Sequence, residues 1–72
     1  MNLFDYEPAV YAGQQYVPAK RGKKHGVHDT SNNRFAPFVQ AACAKWAAVF
    51  CNKYPGFAAK IEWDELKPGE VL

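Results

Sequence analysis

The chain lacks any apolar run long enough to cross a bilayer. Its longest, from Ala41 to Cys51, is broken by Lys45 and falls short of the roughly 20 residues a spanning helix needs. It also lacks the basic stretch and apolar core of a secretory leader, because Asp5 and Glu7 come too early. Cysteine is scarce. Cys43 and Cys51 are eight positions apart on one predicted helix, hence roughly 12 Å apart along its axis at about 1.5 Å per residue. A disulfide needs Cα atoms about 4.4 to 6.8 Å apart, so both thiols are expected free, which fits a reducing compartment. The expectation is a soluble, cytoplasmic protein. Length is short too: 72 residues make one small domain, which buries only about 60% of the surface its unfolded chain exposes. An apolar share of 49% and a charged share of 22% are ordinary for a folded domain and exclude wholesale disorder. No internal repeat is present.

Catalytic and metal-binding signatures are missing as well. Structural zinc sites pair close cysteines with close histidines or a second cysteine pair. Here His25 and His28 are close, but the two cysteines lie too far apart to share an ion, and the histidines read as solvated side chains in a polar loop. His28, Asp29 and Ser31 are neighbours in sequence, yet a triad is defined by folded geometry and not by adjacency. Lys20-Arg21-Gly22-Lys23-Lys24 lacks the spaced glycine and the Lys-Ser/Thr pair of a phosphate loop. Asp64 and Glu65 read as an exposed turn. A non-enzymatic protein without metal or cofactor is expected.

What the chain does have is one strongly patterned stretch, residues 37–53. Phe35, Phe38, Val39, Ala42, Trp46, Val49 and Phe50 recur on a 3.6-residue period. Pro37 suits a first helical turn. Tyr54-Pro55-Gly56 stops the helix, since the residue before proline avoids helical geometry. This predicts a central helix from Pro37 to Lys53 with its aromatic stripe, centred on Trp46, in the core. The opposite face, Ala41, Ala44, Ala47, Ala48 and Cys51, is small and nearly uncharged. It is either covered by the N-terminal segment or open to another protein's helix or strand. Gln14–Val17 reads as a short strand closed by Pro18, and 57–63 as a strand because Phe57, Ala59, Ile61 and Trp63 alternate with other residues. Pro68-Gly69 fits the centre of a type II turn. The predicted architecture is α+β: one helix on a small sheet of two or three short strands, with residues 19–33 as a long, flexible basic loop.

Lys20, Arg21, Lys23, Lys24 and Arg34, five of the nine basic residues, fall within fifteen positions, opposed there only by Asp29. Most other acids lie near the two ends. Lysines and arginines on a glycine-containing segment contact phosphates without sequence preference, or simply keep the chain soluble. The net charge of +2 is low for a dedicated nucleic-acid binder. The N-terminal Leu3-Phe4-Asp5-Tyr6-Glu7 has strand-like alternation ended by Pro8, and with Tyr11 it forms either a strand over the core or a docking segment.

The tiny domain, the aromatic tail Leu3-Phe4-Asp5-Tyr6-Glu7 and the loop Lys20-Arg21-Gly22-Lys23-Lys24-His25 together resemble the small phage-encoded regulators that bind host RNA polymerase, of the antiterminator type. The resemblance is one of build across the whole chain. It implies a regulator that occupies a host protein's surface in the host cytoplasm, with RNA polymerase as the favoured target and initiation or termination of transcription as the affected step. The candidate partner-binding residues are Phe4, Tyr6 and Tyr11 as anchors and Lys20, Arg21, Lys23 and Lys24 as steering charges. The alternative is a small nucleic-acid-binding protein using the basic loop; a virion component is a third.

Overall fold

The computed structural model describes residues 13–70 and 72. Strand β1 (Tyr16–Arg21) and strand β2 (Lys24–Asp29) are followed by β3 (Arg34–Phe38). Then come helix α1 (Ala41–Lys53), a short helix α2 (Pro55–Ala59) and the two-residue strand β4 (Asp64–Glu65). The strands form one antiparallel sheet in the order β1-β2-β3-β4. The expected α+β class holds, with a helix laid on a small sheet, although the sheet has four strands where two or three were predicted.

Residues 19–33 are not a loop. Most of them belong to β1 and β2, which pair in register from Tyr16↔Asp29 to Arg21↔Lys24. Gly22 makes the reversal: it takes φ +62° at the first centre of a two-residue turn, the pattern of hairpins with glycine there. No apolar alternation betrays β2, because the strand buries a glycine and an aspartate besides Val27. Gly26 is required by space. A Cβ there would collide with the Ala36 carbonyl oxygen and lie 2.6 Å from Phe35 Cζ.

The register also explains how two prolines enter the sheet. Asn52, from α1, accepts the Tyr16 N–H (2.9 Å) and donates to the Tyr16 carbonyl (2.7 Å). Both Tyr16 backbone groups therefore point away from β2, and the alternation of antiparallel pairs turns Pro18 outward in the same way. On the other side, Pro37 opposite Gly26 faces the edge beyond β4's short reach. Each proline's missing N–H thus falls where no strand needs it. Pro37 is accordingly a strand residue, and the helix begins at Ala41, four residues later than its spacing predicts.

The helix also faces the other way. Its buried residues are Ala44, Ala47, Ala48 and Cys51, and Val27, Ala47 and Ala48 form the centre of the core. The expected core stripe is split: Phe35 is buried, but from β3 and not from the helix, and Phe38 and Val49 pack at the core's margin, whereas Val39 is 93% exposed and Phe50 37%, and Trp46 is half-buried. Small side chains let the helix backbone approach the sheet closely, which rings at those positions would prevent. The predicted helix stop is as expected, with Tyr54 extended at φ −127°, ψ 95°.

After Pro55 the predicted strand over 57–63 is absent. Pro55 opens α2 instead, and the Trp63 indole returns to donate to the Ala58 carbonyl at 3.0 Å. Asp64 and Glu65, read as a turn, pair with Phe35 and Arg34. Pro68 and Gly69 (φ +81°) form the expected turn, closed by the Glu70 N–H on the Lys67 carbonyl at 2.9 Å. The N-terminal strand proposed around Phe4 and Tyr6 lies outside the described residues.

Candidate partner-binding surface

The sheet holds its shape at one end through Asp29, which is fully buried. Its Oδ1 accepts from Gln15 Nε2 (2.9 Å) and from the Ser31 and Asn32 amides (both 3.2 Å). Its Oδ2 accepts from Asn32 Nδ2 (2.9 Å) and Arg34 Nη2 (2.7 Å). Burial raises the Asp29 pKa, but the hydrogen bonds from Arg34, Asn32 and Gln15 outweigh it and hold the carboxyl at about 2. This network shapes the turn 30–33, where Asn33 adopts φ +53°. It makes His28, Asp29 and Ser31 a structural group: the aspartate is consumed by donors and orients no nucleophile.

No group of three or more His, Cys, Asp or Glu able to hold an ion occurs among the described residues. His25 and His28 are three apart on β2 and so project from opposite faces of the sheet. Both thiols are free, Cys43 exposed and Cys51 buried. Burial, then the charge of Asp29, pushes the Cys51 thiol up to about 11, so it stays protonated and unreactive at neutral pH. No helix among the described residues is long and apolar enough to cross a membrane.

The predicted steering charges gather at the β1–β2 hairpin end. Lys20, Lys23 and Lys24 are exposed there. Arg21 is different: its Nε and Nη2 donate to Glu70 at 2.6 and 3.0 Å. That bond lowers the Glu70 pKa, and Arg21 ties the C-terminal turn to the sheet. Three of the four basic candidates are therefore available to a partner. Phe4, Tyr6 and Tyr11 lie outside the described residues.

A second surface was hidden in the sequence inside the expected core. The rings of Trp46 and Phe50 are 5.4 Å apart, Phe50 and Tyr54 6.3 Å, and Phe50 and Phe57 5.8 Å in an edge arrangement. They form a ridge over the C-terminal half of α1 and the start of α2. Phe50, Tyr54 and Phe57 are 37%, 51% and 37% exposed. Lys53 and Lys60 are exposed beside them, with Lys53 Nζ 5.6 Å from the Tyr54 ring centre, and neither helix carries an acid. The signal that could have exposed the ridge was the alanine-rich face opposite it, which is the better fit to a sheet. No protein-family model matches the chain, and no curated protein or solved structure matches it.

Proposed function

We propose that the chain is a non-enzymatic binding protein that seats the ridge of Trp46, Phe50, Tyr54 and Phe57 in an apolar groove of a partner protein. The observation that carries this is the contiguous exposure of Phe50, Tyr54 and Phe57. Large aromatics supply much of the energy at protein interfaces and cluster in this way. Lys53 and Lys60, beside two helices that carry no acid, suit a groove with an acidic rim. The hairpin lysines Lys20, Lys23 and Lys24 steer encounter. Host RNA polymerase is the target that the resemblance in build favours, and occupying its surface would alter initiation or termination.

The test is binding kinetics on purified, immobilised bacterial RNA polymerase. Wild type should bind saturably. The triple variant Phe50→Ala, Tyr54→Ala, Phe57→Ala should dissociate at least about tenfold faster. Changing Lys20, Lys23 and Lys24 to Gln should slow association and flatten its salt dependence. Absence of saturable binding by the wild type would overturn the reading for this target.

A second reading, nucleic-acid binding, is favoured by the exposure of Lys20, Lys23 and Lys24 at one end of the sheet. Three phosphate contacts give a salt slope of about −2 to −3 in log K against log salt. A slope of that size on single- or double-stranded DNA, lost in the triple Gln variant, would favour it over the protein partner.

A further inference from the structure

We propose that the cleft between Arg34, Trp63 and α2 is a binding site for an oxyanion, carboxylate or phosphate, carried on a small apolar or aromatic group. It is separate from the ridge and does not rest on the partner-protein reading. The cleft has a volume of about 480 Å³ and is lined by Tyr16, Arg34, Pro55, Ala58, Ala59, Ile61 and Trp63. One cation and one phenol stand among apolar residue types, and most of the surface exposed to the cleft is polar.

Arg34 is the reason to assign a ligand. Its Nη2 donates to Asp29 at 2.7 Å, and its guanidinium carbon lies 5.0 Å from the centre of the Trp63 ring. Its Nε is buried yet meets no acceptor. That nitrogen is closed to solvent and lies beyond a cleft ligand's reach; the exposed edge of the guanidinium, on a side chain 31% exposed, is the part a ligand can meet. The guanidinium presents its donors in a fixed plane that matches an oxyanion.

Two carboxylates bear on that cation. Asp29 is held by four donors besides Arg34, from Gln15, Ser31 and both nitrogens of Asn32. It therefore does not need the whole guanidinium. Glu65 sits opposite Arg34 across β3 and β4 but is exposed and not ion-paired with it. Glu65 takes none of the donors and weakens an incoming anion only through a screened field. The aromatic side is fixed independently. Trp63 is anchored on the Ala58 carbonyl, and the Tyr16 ring lies 5.7 Å from it, so the pocket wall is preorganised.

The chain has two arginines, Arg21 and Arg34, so ¹H–¹⁵N spectra of the folded protein give two Nε–H signals. Arg21 Nε, bonded to Glu70, is the internal reference. Titrating benzoate, and separately phenyl phosphate, should move the Arg34 signal saturably, with half-saturation at about 1 mM, a range open to ligands of this size. Whichever of the two binds more tightly identifies the oxyanion. Benzyl alcohol, neutral and similar in shape, should give at least about tenfold weaker response. Ala59→Leu fills the cleft from an exposed position, leaves Arg34 in place and should abolish saturation. Glu65→Gln should tighten benzoate binding about two- to threefold, the scale of an exposed charge pair. Parallel linear drift of both arginine signals, an equal response to benzyl alcohol, or unchanged binding in Ala59→Leu would overturn the proposal and leave the cleft a water-filled gap.

Discussion

The inner face of α1 is made of Ala44, Ala47, Ala48 and Cys51, while its outer face carries Trp46, Phe50 and Lys53. The larger side chains hold more apolar area, at about 25 cal/mol per Å², yet the smaller ones are buried. What decides is the surface they meet. The sheet under α1 presents Val27 between glycine, alanine and proline neighbours, and a helix of small residues can lie close against it without voids. The rings lie outside and stack on one another along the helix. Hydrophobic size alone therefore does not choose the buried face; fit to the opposing layer does. The excess apolar area left outside is what makes the ridge a candidate interface.

Enlarging the inner face should break this arrangement most severely. Ala48 is wholly buried against Val27, so a larger group there must displace its neighbours, and Ala48→Leu should cost about 3 kcal/mol in urea unfolding. For a small domain that is a large part of the total stability. Wild-type stability in this variant would mean that the small face is not packed.

Asp29 braces the sheet that this face rests on. Its pKa is lowered to about 2 on folding, so its stabilisation is fully present above the unfolded carboxyl pKa of about 3.9 and is lost as pH falls through about 2. The shift is worth about 2 kcal/mol. Wild type should lose that much stability between about pH 4 and pH 2, and Asp29→Asn should flatten the profile across that window. An unchanged profile would remove Asp29 from this role.

The thiols sharpen the comparison without altering packing. Cys43 is exposed and Cys51 buried with its pKa raised to about 11. A maleimide at neutral pH should label Cys43 quickly and Cys51 only as fast as the protein unfolds. Rapid labelling of both would turn the helix over. The smallest effect is expected on the outside: Tyr54→Ser, at a residue 51% exposed, should change stability by less than about 1 kcal/mol.

Much of this arrangement was legible in the chain, but not its orientation. The Tyr54-Pro55 stop, the Pro68-Gly69 turn, the free cysteines and the helix-on-sheet class all follow from local rules that the fold obeys. The period of α1 was also legible. Its direction was not, because apolar side chains lie on both sides of the helix and the sheet that selects between them was unrecognised. That sheet was hidden because β2 buries Gly26 and Asp29 for reasons of space and hydrogen bonding, which leave no hydrophobic alternation. Trp63, read as a strand residue, reaches the Ala58 carbonyl and Arg34 through a turn that no period announces. Of the candidate site, the hairpin lysines were visible by composition, whereas the ridge required knowing which face of α1 is out.

The most direct measurement of that orientation is a paired thermal melt of Ala48→Leu and of Phe50→Ala/Tyr54→Ala under one buffer. The account predicts that the inner substitution lowers the melting temperature by about 15 °C or more. The outer pair should lower it by only a few degrees, on the scale of about 4–8 °C per kcal/mol for a domain of this size. The reverse order, with the ring deletions collapsing the fold and Ala48→Leu tolerated, would contradict it.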